Sequence, residues 1–169
     1  MSIEYIKGIQ DRVNTNEIVK QLRRALADEL NAAQNYHIQS KIVQGSIKDD
    51  IAKELLAHYQ EETGHANMLV ERIIQLGGNP EIRPLDWDRT ANCIYMMNTE
   101  WDQRSILDIA LQGEKCATEI YTGIAQFTER RDVTTYDIIR KILDDEYEHI
   151  RDLNKLKEML HENRSDNQN

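Results

Sequence analysis

The sequence predicts an all-α fold, a four-helix bundle with a long crossover between the second and third helices. Three observations predict it. Four long segments carry apolar residues at helical spacing, short links join them into two pairs, and one aperiodic stretch of about 25 residues separates the pairs. The first segment runs from about Thr15 to Gln44 and carries Ile18, Leu22, Ala25/Leu26, Glu29, Ala33, Tyr36/His37 and Ser40 on one face. Gly45 then fits a helix stop. Ser46 with Asp49 three residues later reads as a capping box for the second segment, whose stripe is Ile51, Leu55, His58, Glu62, His65, Leu69, Ile73 and Leu76. Gly77-Gly78-Asn79-Pro80 ends it.

Residues 78 to about 103 hold both prolines, Trp87, Cys93 and Trp101, with a short helix expected near Arg89–Met97. The third long helix spans about Arg104 to Glu129 with Ile106, Ile109/Ala110, Gly113/Glu114, Ala117, Ile120/Tyr121 and Ile124 on its stripe. Arg131-Asp132 is a tight link, and Thr134 with Asp137 is the capping signal for the fourth helix. That helix carries Ile138/Ile139, Ile142, Asp145/Glu146, His149, Leu153, Leu156 and Leu160. Residues 1–169 thus read as a single domain, with the bundle over about 15–161 and a polar, frayed tail over 162–169.

Bulk properties narrow the function classes. A net charge of −9 argues against nonspecific binding to nucleic acid or an anionic membrane and is compatible with handling cations. The start, MSIEYIKGIQDR, has no apolar signal region, and no stretch approaches the ~20 apolar residues that span a bilayer. With two cysteines matching no zinc pattern, a cytoplasmic protein is expected.

The chemistry lies in an internal repeat. Glu29 and Glu114 are 85 residues apart, and each is followed seven residues later by a tyrosine, Tyr36 and Tyr121. Glu62-Thr63-Gly64-His65 matches Glu146-Tyr147-Glu148-His149 at an offset of 84. Glu29 lies 16 residues before Gly45 and Glu62 lies 16 after Ser46, so an antiparallel pair sets both about 24 Å from the turn. Glu114 and Glu146 lie 16 residues either side of Arg130 and share a height in the same way. Residues three apart on a helix face one side, so each Glu-x-x-His offers an oxygen and a nitrogen inward.

Four unpartnered buried carboxylates would be costly or protonated. Two divalent cations neutralise them, and an oxygen-rich set with one histidine per ion suits iron or manganese. Glu29, Glu62, His65, Glu114, Glu146 and His149 are therefore the expected metal ligands and catalytic residues. Tyr36 and Tyr121 either pack in the core or hydrogen-bond a ligand carboxylate. His37 and His58 lack the pattern and read as interior or edge histidines. Glu158-Met159-Leu160-His161 has no repeat partner and reads as surface.

At these residues the chain resembles the ferritin superfamily over about residues 15–161, and all six ligand positions match the bacterioferritin pattern. Bacterioferritin carries a haem-ligating Met directly after the second-helix Glu; Thr63 stands there, so no haem is expected. The short tail lacks the fifth helix of the larger shells and is similar in this to Dps. A Lys-rich N-terminal arm is also missing, because Glu4 and Asp11 offset Lys7 and Arg12, which makes DNA binding unexpected. Dps-like proteins, or thioferritins, combine a Dps-type assembly with a bacterioferritin-like site inside each subunit and carry a cysteine pair. Cys93 and Cys116 fit that arrangement, either as inert buried thiols or as a redox-active pair.

The resemblance implies a ferroxidase and iron store. It would oxidise Fe(II) with hydrogen peroxide or oxygen at two irons per subunit, mineralise Fe(III) in a homo-oligomeric cage of twelve subunits, and protect against oxidative stress. The alternative is a manganese catalase or rubrerythrin-like peroxidase without iron storage. The chain has no rubredoxin-type Cys-x-x-Cys pairs, which disfavours the rubrerythrin form.

Overall fold

In the computed structural model, which describes residues 3–94, 96 and 100–166, α1 spans Ile3–Ile42 and α2 spans Lys48–Gln75. A 3-10 turn at Pro84–Asp86 runs into the single-turn α3, Trp87–Thr90. Helices α4, Gln103–Thr128, and α5, Val133–Asp166, complete the chain, and no strand occurs among the described residues. The fold is all-α with a long crossover between the second and third long helices, and its architecture is ferritin-like.

Several local expectations are corrected. Helix α1 begins at Ile3, well before Thr15, and α5 runs on to Asp166. Residues 161–166 contain neither Gly nor Pro to stop it. The last three tail residues lie outside the description. The short crossover helix is Trp87–Thr90, because Pro84 pre-sets the turn and Ala91 adopts an extended backbone that ends it. The rest of the expected Arg89–Met97 segment is non-helical where described; positions 95 and 97 lie outside the description. Ser46 caps nothing: Ile47 stands at the α2 N-cap without a side-chain cap. The α5 cap is Asp132 in place of Thr134. Its carboxylate accepts from the Thr135 backbone N–H at 3.1 Å and from Arg72 Nη2 at 2.6 Å. Asp102 caps α4, accepting from the Arg104 and Ser105 backbone N–H groups.

Both ends of the bundle are pinned by the crossover. At one end Gly77 N–H bonds Ile74 O and Gly78 N–H bonds Ile73 O, a Schellman stop with Gly77 at φ 77°. The chain then travels the bundle height. Gln44 N–H donates to Trp101 O and Gln103 N–H donates to Gln44 O, tying the end of the crossover to the α1–α2 turn. Gln103 also accepts from Ile47 N–H through its side chain. The Gly77 end is also held by the Arg72–Asp132 pair between α2 and the α4–α5 link.

The interior forms two apolar clusters. One gathers Leu22, Leu26, Leu69, Ile73, Ile124, Ile139 and Ile142. The other gathers Ile51, Leu55, Ile106, Leu107, Leu153 and Leu156. Fully burying a Leu or Ile side chain contributes about 1.5–3 kcal/mol, so these clusters fix the height and rotation of each helix. Between them lies a polar layer, because Glu29, Glu62, Glu114 and Glu146 occupy stripe positions that would otherwise continue the core.

Candidate metal centre

Each long helix contributes to that layer. Helix α1 supplies Glu29 and Tyr36, α2 supplies Glu62 and His65, α4 supplies Glu114 and Tyr121, and α5 supplies Glu146 and His149. The structure brings all six expected ligands together, and none is more than 2% exposed. His65 Nδ1 lies 3.5 Å from Glu29 Oε2, 3.1 Å from Glu62 Oε2 and 3.3 Å from Glu146 Oε1. His149 Nδ1 lies 3.4 Å from Glu62 Oε1, 3.4 Å from Glu114 Oε1 and 3.3 Å from Glu146 Oε2. Glu62 and Glu146 thus turn one oxygen toward each imidazole, while Glu29 faces only the His65 side and Glu114 only the His149 side.

The layer therefore offers two overlapping donor sets, Glu29–Glu62–His65–Glu146 and Glu62–Glu114–Glu146–His149. Within each, the ligand atoms lie within 4.8 Å of one another. Glu29 Oε2, both Glu146 oxygens and His149 Nδ1 have no hydrogen-bond partner among the described residues. Buried polar atoms left unpaired in a folded interior call for a partner the protein atoms do not supply. Two cations flanked by shared carboxylates fit both the donor set and these orphaned atoms.

Electrostatics agrees. Burial pushes the Glu62 carboxyl well above the usual range, and the nearby Glu146 and Glu29 charges push it further. Burial and Glu146 raise Glu114 to about 7. Burial opposes the charged form of Glu146 as well, but the His149 and His65 rings, 3.3 Å from its two oxygens, hold it below the ordinary value. Burial likewise disfavours the imidazolium forms, yet three carboxylates around each ring hold His65 and His149 far above the usual imidazole range. The metal-free layer keeps protons that entering cations must displace, which couples binding to proton release.

Tyr36 and Tyr121 are both buried and both reach a carboxylate. The Tyr36 hydroxyl donates to Glu114 Oε1 and the Tyr121 hydroxyl donates to Glu29 Oε1. Each tyrosine crosses to the opposite hairpin, so the two outer carboxylates are oriented symmetrically. Burial, then the neighbouring carboxylate charge, raises both phenols well above their ordinary value, so they remain donors.

Sequence reasoning passed over two residues as site members. Asp145 Oδ2 meets His65 Nε2 at 3.1 Å, and Glu61 Oε2 meets His149 Nε2 at 2.7 Å. These carboxylates hold the outer nitrogens, leaving Nδ1 of each ring to face the centre. The signal was present, since Glu61 precedes Glu62 as Asp145 precedes Glu146 at the same offset of 84. His58, expected as an interior or edge histidine, is interior, 1% exposed and stacked on the His149 ring at 4.0 Å. His37, by contrast, is exposed and stacks on Tyr59, and Glu158 and His161 are exposed at the surface.

Cys93 and Cys116 are joined in a disulfide, Cα–Cα 6.0 Å, so of the two alternatives the structure favours the pair over two inert thiols. Asp28 fixes the crossover partner, accepting from the Asn92 and Cys93 backbone N–H groups at 2.7 and 2.8 Å. Cys93 lines a cavity of about 70 Å³ between α1 and α4, whose floor includes Glu29, Glu62, Glu114 and Glu146.

The fold and this donor set define a class, the four-helix bundles with a carboxylate–histidine layer at mid-height. The chain matches the ferritin-like domain family over residues 19–161. It belongs to that family of iron-storage and Fe(II)-oxidising proteins, among whose members are Dps and bacterioferritin.

Its fold superposes on a bacterioferritin-related protein of Bacteroides fragilis, described as a dodecameric thioferritin. The two share a TM-score of 0.88 and 34% identity over 97% of this chain and 98% of that one. The chain is 29% identical to the DNA protection during starvation protein of Pyrococcus furiosus, covering 81% of this chain and 75% of the relative. It is 26% identical to the bacterioferritin of Rhodobacter capsulatus, covering 79% and 78%. No helix among the described residues is long and apolar enough to cross a membrane.

Proposed function

We propose that the protein is a ferroxidase and iron store that takes two Fe(II) per subunit as substrate at Glu29, Glu62, His65, Glu114, Glu146 and His149. The observation that carries this reading is the pair of central carboxylates. Glu62 and Glu146 each divide their oxygens between the two imidazole Nδ1 atoms, while Glu29 and Glu114 close the two ends. Two ions held by shared carboxylates can each give one electron to a single oxidant. With hydrogen peroxide the O–O bond breaks, two protons are taken up, and two Fe(II) become two Fe(III) with release of two waters. With oxygen as oxidant the same two electrons and two protons give hydrogen peroxide. Delivering both electrons at one site avoids one-electron reduction of peroxide to hydroxyl radical, which is the protective value of the arrangement.

Fe(III) then passes to the interior of a homo-oligomeric cage and mineralises. Twelve subunits is the proposed assembly, by analogy with the Bacteroides fragilis protein. Cytoplasmic residence and a redox role for the Cys93–Cys116 pair belong to the same proposal.

The test is anaerobic addition of Fe(II) to the apoprotein followed by one hydrogen peroxide per two Fe(II). The proposal expects two tightly bound Fe(II) per chain, consumption of the peroxide without hydroxyl radical, and a soluble ferric core. Fewer than two Fe(II) per chain, or ferric precipitate outside the protein, would overturn it.

A further inference from the structure

The hairpins meet along two seams, and the polar layer lies between them. The cavity beneath Cys93 follows the α1–α4 seam. His58 lies on the other seam, between α2 and α5, and no step described so far uses it.

Its surroundings are unusual for a core histidine. The ring is 1% exposed, and neither Nδ1 nor Nε2 has a hydrogen-bond partner among the described residues. A buried imidazole with both nitrogens unpaired carries a desolvation cost that a core residue avoids. On its outer side Nε2 faces Glu54 Oε1 at 3.4 Å, outside hydrogen-bond geometry, and Glu54, His58 and Asp152 present ligand atoms all within 4.8 Å of one another. On its inner side His58 forms a second such set with Glu114 and His149, both members of the paired centre. Glu54 and Asp152 are partly exposed, so the outer set opens toward solvent.

We propose that Glu54, His58 and Asp152 form a third divalent-cation site, one step outside the paired centre, where Fe(II) is staged before it passes inward. Two carboxylates and one neutral imidazole form the oxygen-rich donor set that suits a borderline or hard divalent ion. Lys155 Nζ lies 2.5 Å from Asp152 Oδ1, and its side chain is 70% exposed. An ammonium on a flexible, solvated stem yields its place to a divalent ion at small cost. Facing His58 are Glu54 from α2, His149 and Asp152 from α5, and Glu114 from α4, while Glu61 and Lys155 lie beside Glu54, so the passage is predominantly acidic. The cation site stands on its own geometry; the staging role rests on the proposed Fe(II) oxidation at the centre.

Three proteins separate the two readings, each titrated with Co(II) alone and then crystallised with it. The parent should hold three Co(II) per chain, with an anomalous-scattering peak among Glu54, His58 and Asp152. The E54Q/D152N variant, whose substitutions preserve shape and leave the six central ligands intact, should lose that peak and one Co(II) per chain. The E29Q/E114Q variant should keep the outer peak while losing cations from the centre. An outer position empty in the parent, or one still filled in E54Q/D152N, overturns the third site. Central positions empty in the parent beside a filled outer one would sink the ferroxidase reading and leave the outer site standing. The staging role predicts slower Fe(III) formation in E54Q/D152N at limiting Fe(II), and an unchanged rate there refutes it.

Discussion

Replacing Tyr121 by Phe removes one oxygen from the centre and should weaken one of its two cations but not the other. The Tyr121 hydroxyl donates to Glu29 Oε1, and the other oxygen of that carboxylate meets the His65 ring at 3.5 Å. A hydrogen bond to a buried charged group contributes about 1.5–3 kcal/mol. Loss of a partner that orients a metal-ligating carboxylate lowers metal affinity about 10–100-fold, which is about 1.4–2.8 kcal/mol. The two routes to the magnitude agree.

Selectivity follows from geometry, because Glu29 faces the His65 side and not the His149 side. Tyr36→Phe is the mirror experiment, acting through Glu114 on the ion beside His149. Anaerobic Co(II) titration monitored by visible absorption resolves the two ions. Each single variant should weaken a different ion about 10–100-fold, and the double variant should weaken both. If neither ion weakens, or if Y121F weakens both equally, the assignment of separate outer carboxylates is wrong.

Further expectations concern the scaffold. Asp132→Ala removes the α5 cap and the partner of Arg72, so it should cost about 1–3 kcal/mol and lower the Tm about 2–4 °C per kcal/mol, read by calorimetry. Although its partial burial opposes the charged form, hydrogen bonds from Thr135 and Arg72 hold the Asp132 carboxyl below its ordinary value of 3.8. Its folded pKa thus lies below its unfolded one, so its contribution is fully present above pH 4 and is lost as pH falls through the folded value; D132A should lack that part of the acid-side slope. Gly78→Ala would set a Cβ 2.6 Å from Val19 Cγ1, and Gly77→Ala would hold an L-residue at φ 77°. The strained backbone alone costs about 1–2 kcal/mol, so urea midpoints should fall in both variants; an unchanged G78A would refute the close α1 contact. Reducing the Cys93–Cys116 bond, which closes 23 residues, should lower stability by about 3 kcal/mol in the chain-entropy account, measured by paired oxidised and reduced melts.

The parts of this molecule that announce themselves in the sequence are those governed by periodicity and repetition. The two hairpins, the crossover and the six inward residues follow from the helical stripe and the 84–85-residue offset, because one backbone geometry places both halves. Local caps were harder. Thr134 carries the capping signal in the sequence, yet Asp132 caps α5 because its carboxylate reaches Thr135 and Arg72 together. Glu61 and Asp145 each precede a central glutamate and are well exposed, yet they reach inward far enough to hold an imidazole. His58 has no partner in the repeat, so nothing in a one-dimensional pattern reveals that its ring lies flat against His149. The reach of Cys93 to Cys116 depended on the path of an aperiodic crossover, which Asp28 fixes through backbone hydrogen bonds that no spacing rule predicts.

The central claim is that two ions share Glu62 and Glu146, and diffraction from crystals loaded anaerobically with Fe(II) at the iron absorption edge tests it most directly. The account predicts two anomalous peaks per chain in the buried layer, one beside His65 Nδ1 and Glu29 and one beside His149 Nδ1 and Glu114. Both central carboxylates should lie between them. A single peak, or iron held only outside the layer with the six ligands unmoved, would contradict it.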